Sequence, residues 1–457
     1  MKKVDRVLIR KYNIPGPRYT SYPTVPYWEQ DIFSHDAWFK TIKRSFTESN
    51  QKEGISLYIH LLFCESLCTF CACNKHITKQ HAVEEPYIHY LLKEWKMYLD
   101  ILPEKPVLTE LHLGGGTPTF FSPSHLRHLL ERLLDTVKVS PNHIFSFEGH
   151  PNHTTREHFE TLYELGFRRV SFGVQDYDPK VQKAIHRIQP FERVELVTEW
   201  AREVGYHSIC HEFVYGLPFQ SVDSIKRIGK NVALLLPDRV INYSYAHVPW
   251  KKGLGQRGFN EADLPSVKVK QTFNEILRQQ LNVLGYQEIG MDHFALPHDS
   301  LYRSSCEQKL HRNFMGYTHS KTQLIIGLGV SSISDSWYAF SQNIREVKAY
   351  YQSLDQDRHP IFRGHLLTEE DLTVRCHILN LMCKFETDWE NESMQFEKLP
   401  EVLDRLQEMR QNGLVEDFEI GIRVTGEGRS FLRNICMAFD LRLIQNQPQT
   451  RVFSMTI

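Results

Sequence analysis

Short apolar runs alternate with longer amphipathic ones through the middle of the chain. The β-type runs fall at residues 55–59, 110–113, 144–148, 170–173, 209–215, 240–246 and 324–327. Between them, apolar positions recur at helical spacing over 83–99, 124–133, 156–165, 191–204, 222–235 and 265–284. Strands that alternate with helices predict βαβ units and a parallel sheet. Six or more such units exceed what a small doubly wound sheet needs. The expected architecture of residues 51–345 is therefore α/β, a closed or partly closed (β/α) barrel. Residues 1–50 are rich in aromatics and proline and weakly periodic. Their segment GPRYTSYPT, at 16–24, predicts an extended, irregular strap. Residues 346–457 turn helical, with patterns at 368–383 and 401–411, two short strands around an acidic turn within 413–425, and a helix at 428–439. This order resembles a winged-helix module, so a mainly helical C-terminal domain is expected. DNA binding is one role for such a module. Glu416, Asp417 and Glu419 on the wing would repel phosphates, which favours a structural or lid role.

The ends of the predicted strands carry the unusual residues. A cysteine run follows the first strand and Gly114-Gly115-Gly116-Thr117 follows the second. Glu148 ends the third, Gln175 follows the fourth, Glu212 sits on the fifth, and Ala246-His247 ends the sixth. The carboxyl ends of strands in a parallel β/α sheet face one side, and that side carries function.

At 457 residues the chain exceeds one hydrophobic core, and 41% hydrophobic with 24% charged residues is ordinary for a globular protein. A formal net charge of -1 gives no sequence-independent grip on nucleic acid or on an anionic membrane. The start, MKKVDRVLIRKYN, lacks the apolar core of a secretory signal, and no apolar run is long enough to span a bilayer. A cytoplasmic monomer without nucleic-acid or membrane partners is expected.

The nine cysteines change the picture. Cys64, Cys68, Cys71 and Cys73 lie within ten residues; Cys210, Cys306, Cys376, Cys383 and Cys436 are scattered and read as small buried apolar groups. An odd total and no export signal argue against a disulfide framework. Thiolates spaced C-x3-C-x2-C can take three corners of one [4Fe–4S] cube, leaving the fourth iron open to a small molecule. Zinc is the alternative, with Cys73 as fourth ligand, but no second CxxC pair is present to form the usual paired knuckles. Cys73 reads as a fourth ligand, a neighbour of the ligands or an inert side chain, the first being disfavoured.

The C-x3-C-x2-C run after a strand, with Phe70 before its last cysteine and a glycine-rich turn after the next strand, resembles the radical SAM superfamily. The wider pattern resembles the oxygen-independent coproporphyrinogen III oxidases over residues 14–440. That pattern comprises GPRYTSYPT, Cys73-Asn74, Gly114 to Pro118, Gly173-Val174-Gln175-Asp176, Tyr215-Gly216-Leu217-Pro218, Met291-Asp292-His293-Phe294, His311-Arg312-Asn313-Phe314 and Asn434-Ile435-Cys436-Met437.

The resemblance implies conversion of coproporphyrinogen III to protoporphyrinogen IX. Two propionates become vinyls through a 5′-deoxyadenosyl radical, made when a reduced cluster cleaves S-adenosylmethionine; an electron donor and an acceptor, both unidentified, are needed. It implies two S-adenosylmethionine sites. Tyr58, Gly115, Glu148 and Ile333 go with the first. Phe70, Gly116, Thr117, Gln175, Arg187, Glu212 and Ala246 go with the second. Arg187 on its own reads as a solvated charge.

Three departures stand out. Leu61-Leu62 replaces the family's Ile-Pro, Glu212 stands where Asp is usual, and Gly149-His150-Pro151 follows Glu148 in place of a hydrophobic–acid pair. The competing readings are a haem chaperone of the sister group, which lacks the strap and Cys73, and a closed metal-binding regulator.

Overall fold

The computed structural model describes residues 6–29, 31–249, 256, 258–450 and 452–456. Seven parallel strands form the centre. In chain order the first six are β1 (Ile55–Leu61), β2 (Val107–Gly115), β3 (Lys138–Gly149), β4 (Arg169–Gln175), β5 (Ser208–Tyr215) and β6 (Arg239–Ser244). Next come β7 (Gln287–Gly290) and β8 (His293–Ala295), then β9 (Leu324–Leu328), the seventh parallel strand. The last three are β10 (Ile333–Asp335), β11 (Ala339–Asn343) and β12 (Ile361–Leu366). Among the described residues these make one twelve-stranded sheet, ordered β12-β11-β10-β9-β1-β2-β3-β4-β5-β6-β8-β7. Its two ends do not pair, so the barrel is only partly closed.

The outer face is apolar, as parallel strands covered by helices require. Six of the seven β1 residues are buried. The helices over them start at hydroxyl caps: Ser122 Oγ accepts from the His125 amide, and Thr155 and Ser221 form capping boxes. The inner face is polar instead. One register row crosses Tyr58, His112, Ser146, Arg169 and Ser208, and a second crosses Glu148, Ser171, Cys210 and Arg239. Barrel interiors are usually filled with branched aliphatic side chains; here charge and hydroxyl groups replace them.

Two features extend the sequence reading. Residues 1–50 hold a helix, His35–Ser49, whose Trp38, Ile42 and Phe46 join the main core. The sheet also runs past residue 345, because β12 pairs with β11; residues 346–366 belong with the sheet by their hydrogen bonds. Beyond it, helices Glu369–Lys384, Leu399–Gln411 and Leu432–Phe439 pack with a three-stranded wing around a second core that includes Tyr19 and Tyr22 of the strap. The Arg433 guanidinium clamps the strap, donating to the carbonyls of Gly16, Pro17 and Met455. Of the scattered cysteines, Cys210, Cys383 and Cys436 are buried, but Cys376 is half-buried and Cys306 exposed, contrary to the reading of all five as buried. Among the described residues no helix is long and apolar enough to cross a membrane.

Candidate functional site

Cys64 ends the two-residue strand Phe63–Cys64, which pairs with His76–Ile77 and so brackets the cysteine loop. The loop is tied to the barrel from several sides. The Thr69 amide and hydroxyl donate to the carbonyls of Ile185 and Ala184, each at 3.0 Å. The Gly116 and Thr117 amides donate to the Leu61 and Phe63 carbonyls, each at 3.0 Å, and Thr117 Oγ1 donates to Cys64 Sγ at 3.3 Å. Gly115 has φ +116°, and a Cβ on Gly116 would stand 2.5 Å from the Leu62 carbonyl oxygen. The glycines therefore let the second strand's turn lie directly on the backbone that enters the loop. The turn is held by the carbonyls of Leu61, Leu62 and Phe63, with Leu62 accepting from the His76 amide at 2.9 Å. These are groups a proline would also offer, so the loss of the family's proline leaves the turn in place.

A cavity of about 520 Å³ opens at the carboxyl ends of the strands. Cys64, Cys68, Cys71, Phe70, Gly115, Gly116, Thr117, Glu148, Gln175, Arg187, Glu212 and Ala246 all line it. Twelve residues singled out from strand ends and family pattern thus meet at one place. Tyr58 and Ile333 do not line it. Tyr58 lies on β1 between His112, stacked at 6.0 Å, and Phe314, edge-on at 5.2 Å. Ile333 opens β10, with its carbonyl against Gly327. Ala246 lies past the end of β6, which stops at Ser244, and its carbonyl shares the Gln256 amide with that of Phe70.

The donor set fits an iron–sulfur cube. Among the described residues no three His, Cys, Asp or Glu side chains converge on one point as a single ion needs. Cys64, Cys68 and Cys71 instead line one cavity, where three thiolates can take three corners of a cube. Cys73 donates toward Cys71, which with Lys75 nearby lowers the Cys71 thiol to about 6, while burial pushes Cys64 up to about 11. Arg187 is no solvated charge: Nη2 donates to the Gly173 carbonyl at 2.9 Å, Nε to Gln189 Oε1 at 3.0 Å, and Nη1 to Cys68 Sγ at 3.6 Å.

The two carboxylates differ. Glu148 Oε1 is 3.4 Å from His112 Nε2, and its side chain is 44% exposed. Glu212 Oε1 accepts from Ser171 Oγ at 2.6 Å, and burial, with the Glu148 charge second, raises its pKa to about 7.

Other residues at the cavity or just behind it had no site role assigned from the cluster motif, and His60 and His153 were not singled out at all. His60 links Tyr58 OH, at 3.0 Å on Nδ1, to the Asn74 carbonyl, at 3.0 Å on Nε2, and so joins β1 to the end of the cysteine loop. Its position two residues past Tyr58 on the same strand face was the available signal. The rings of His150 and His153 meet at 4.5 Å, tilted by 60°, on the cavity wall, with His153 Nδ1 3.2 Å from Glu65. Arg18 of the strap reaches the wall, donating to Asp292 Oδ2 at 3.2 Å and to the Ser244 carbonyl at 3.1 Å. Asp176 of the Gly-Val-Gln-Asp segment accepts from Gln220, whose Oε1 takes the Gly216 and Leu217 amides, so two of the recognised segments brace each other.

The radical SAM superfamily model matches residues 58–231. The chain is 38% identical to the oxygen-independent coproporphyrinogen III oxidase of Pseudomonas aeruginosa over 445 residues, covering 95% of each chain. It is 37% identical to that of Escherichia coli K12 over 449 residues, covering 96% of each. The solved structure of coproporphyrinogen III oxidase from Escherichia coli, a radical SAM enzyme, superposes with a TM-score of 0.89 at 35% identity, over 96% of this chain and 100% of that one.

Proposed function

The chain belongs to the family of oxygen-independent coproporphyrinogen III oxidases, and from that premise we propose how its own residues divide the work of converting coproporphyrinogen III to protoporphyrinogen IX. The reaction is the oxidative decarboxylation of two propionates to vinyls, a step of haem synthesis. The observation that carries the reading is the meeting of three C-x3-C-x2-C thiols, the glycine-rich turn and two strand-end glutamates around one cavity. A [4Fe–4S] cluster with S-adenosylmethionine supplies, when bound, the electron and the hydrogen-abstracting radical.

Cys64, Cys68 and Cys71 hold the cluster. Gly115 and Glu148 receive the first S-adenosylmethionine, with Tyr58 and Ile333 behind it. Phe70, Gly116, Thr117, Gln175, Arg187, Glu212 and Ala246 wall the second. Ser171 donates to Glu212 Oε1, which leaves Oε2 as the oxygen to carry a proton held by Glu212. At neutral pH that carboxyl offers both a donor and an acceptor to hydroxyls. Arg187 joins β4 to the cysteine loop and fixes Cys68. The strap covers one side and limits the entry of water.

We place the enzyme in the cytoplasm as a monomer that uses an unidentified electron donor and acceptor. The acidic wing, where Asp417 already pairs with Arg410, supports a structural role for the C-terminal module. The test is anaerobic reconstitution with iron and sulfide, then incubation with S-adenosylmethionine, dithionite and coproporphyrinogen III. Mono-vinyl then divinyl product is expected. Formation of 5′-deoxyadenosine without any vinyl product would overturn the reading.

A further inference from the structure

Beneath the cluster cavity the barrel encloses a second chamber of about 390 Å³. The two are neighbours with a common wall, because Cys73, Glu148, Ser171, Glu212 and Tyr243 line both. The chamber's floor is formed where β2, β4, β5 and β6 begin or pass, and it holds Glu110, Arg169, Ser208 and Arg239.

The charged groups of this floor are not alike. Arg239 is paired: Nε and Nη2 reach Asp299 Oδ1 at 2.9 and 2.8 Å, and Nη2 donates to Ser300 Oγ at 3.2 Å. Asp299 also accepts from Ser208 Oγ at 2.7 Å and the Leu301 amide at 2.7 Å. Glu110 accepts from Ser56 Oγ at 2.9 Å and Thr318 Oγ1 at 2.8 Å. Paired through its backbone in the sheet, Arg169 alone among these has a side chain with no hydrogen bond or ion pair to any described residue. A guanidinium carries five N–H donors and is normally matched to a carboxylate. Burial, and then Arg239, lowers the Arg169 pKa to about 10, with the charges of Asp299 and Glu110 opposing that shift without touching the guanidinium. Arg169 lies two residues below Ser171 on the inner face of β4, about 7 Å along the strand. Its free donors therefore stand directly under the two glutamates of the cavity.

We propose that this chamber is a carboxylate-binding site with Arg169 as its cation, and that it receives a propionate arm of the substrate through the gap between Glu148 and Glu212. This rests on the function proposed above. Bicarbonate, the hydrated form of the CO2 released, has the same charge and shape and is the other source of such an anion. An arm held at Arg169 points its carboxylate away from the cluster and leaves its methylenes at the level of the cavity, where the hydrogen is removed.

The experiment compares the reconstituted wild type with Arg169→Met and Arg169→Lys. Dissociation constants are measured anaerobically for coproporphyrinogen III, its tetramethyl ester, S-adenosylmethionine and 13C-bicarbonate, and each protein's thermal midpoint is recorded. The expected result is at least tenfold weaker coproporphyrinogen binding in Arg169→Met and less than threefold in Arg169→Lys. Binding of S-adenosylmethionine and the thermal midpoint should not change, and the ester should bind wild type and Arg169→Met alike. Loss of bicarbonate binding alone in Arg169→Met would keep the site and assign it to the released carbon. Unchanged binding of both anions overturns the proposal, as does loss of S-adenosylmethionine binding together with a lowered midpoint, which marks a purely structural cation. If the wild type binds no coproporphyrinogen, the functional reading fails by itself. Propionate alone, titrated into wild type and Arg169→Met, then decides whether the chamber binds carboxylates.

Discussion

Arg187 Nη1 donates to Cys68 Sγ at 3.6 Å while Nη2 of the same guanidinium holds the Gly173 carbonyl of β4 at 2.9 Å. A hydrogen-bonded cation beside a cluster sulfur stabilises the added electron and raises the reduction potential. Arg187→Ala should keep its iron and show a lower cluster potential, with Arg187→Lys between it and wild type. A spectroscopically monitored redox titration of the three proteins checks this.

Cys73 stands beside Cys71, whose thiol it lowers, and is not needed as a corner of the cube. Alanine at Cys64, Cys68 or Cys71 should abolish stable cluster formation, while Cys73→Ala should retain about four iron per chain. Iron and acid-labile sulfide after anaerobic reconstitution measure both. A full cluster in Cys64→Ala, or none in Cys73→Ala, contradicts the assignment.

Gly116→Ala places a methyl 2.5 Å from the Leu62 carbonyl oxygen, and the obstacle is backbone that cannot rotate away. Overpacking of this kind costs about 1–3 kcal/mol, and here it should displace the entrance to the cysteine loop. Thermal melts should show the cost, and iron loading should fall in parallel.

Glu212 holds its proton to about pH 7, whereas a free carboxyl of this type has a pKa of 4.5. The folded state therefore binds more protons than the unfolded one between these values, and stability falls as pH rises through that window. Iron-free wild type should lose about 3 kcal/mol between pH 4.5 and 8 from this group, and Glu212→Gln should not. Denaturant unfolding of both proteins across that range measures the difference. In turnover, Glu212→Ala should accumulate the mono-vinyl intermediate and Glu212→Asp should not; product analysis reads this, and equal product ratios in Glu212→Ala and wild type would withdraw Glu212 from the second S-adenosylmethionine site.

Arg18 joins the strap to Asp292 and to the last carbonyl of β6 at the cavity wall. Tyr19 and Tyr22 lie in the second core, so truncating the strap would expose that core, and a point change is the cleaner probe. Arg18→Ala should lower kcat/KM for coproporphyrinogen at least tenfold and leave S-adenosylmethionine affinity and iron content unchanged. Steady-state kinetics and equilibrium binding separate the two.

The parallel strands and their helices were legible because period and length agree over long segments: 191–204 and 222–235 are the observed helices Phe191–Val204 and Val222–Leu235. The helix His35–Ser49 was also written in the sequence, with Trp38, Ile42, Phe46 and Ser49 recurring at helical spacing, but neighbouring prolines and polar residues masked it. The antiparallel strands β10 to β12 were hidden because each is short and its pairing depends on partners distant in sequence. At the site, strand-end residues could be read because topology alone gathers them. The contact of Arg187 with Cys68 could not, since 119 residues separate them and a surface arginine has the same local pattern. The inner row of His112, Ser146, Arg169 and Ser208 alternates at period two on each strand, but its shared facing appears only once the register is known.

The Arg433 clamp on Gly16 and Pro17 joins segments separated by more than four hundred positions. That span makes the border of the cluster cavity a long-range closure, since the segment that carries Arg18 to the wall is fastened by a helix near the other end of the chain. A change that loosens Arg433 would therefore be felt at the cavity wall although the side chain itself stands outside the cluster loop.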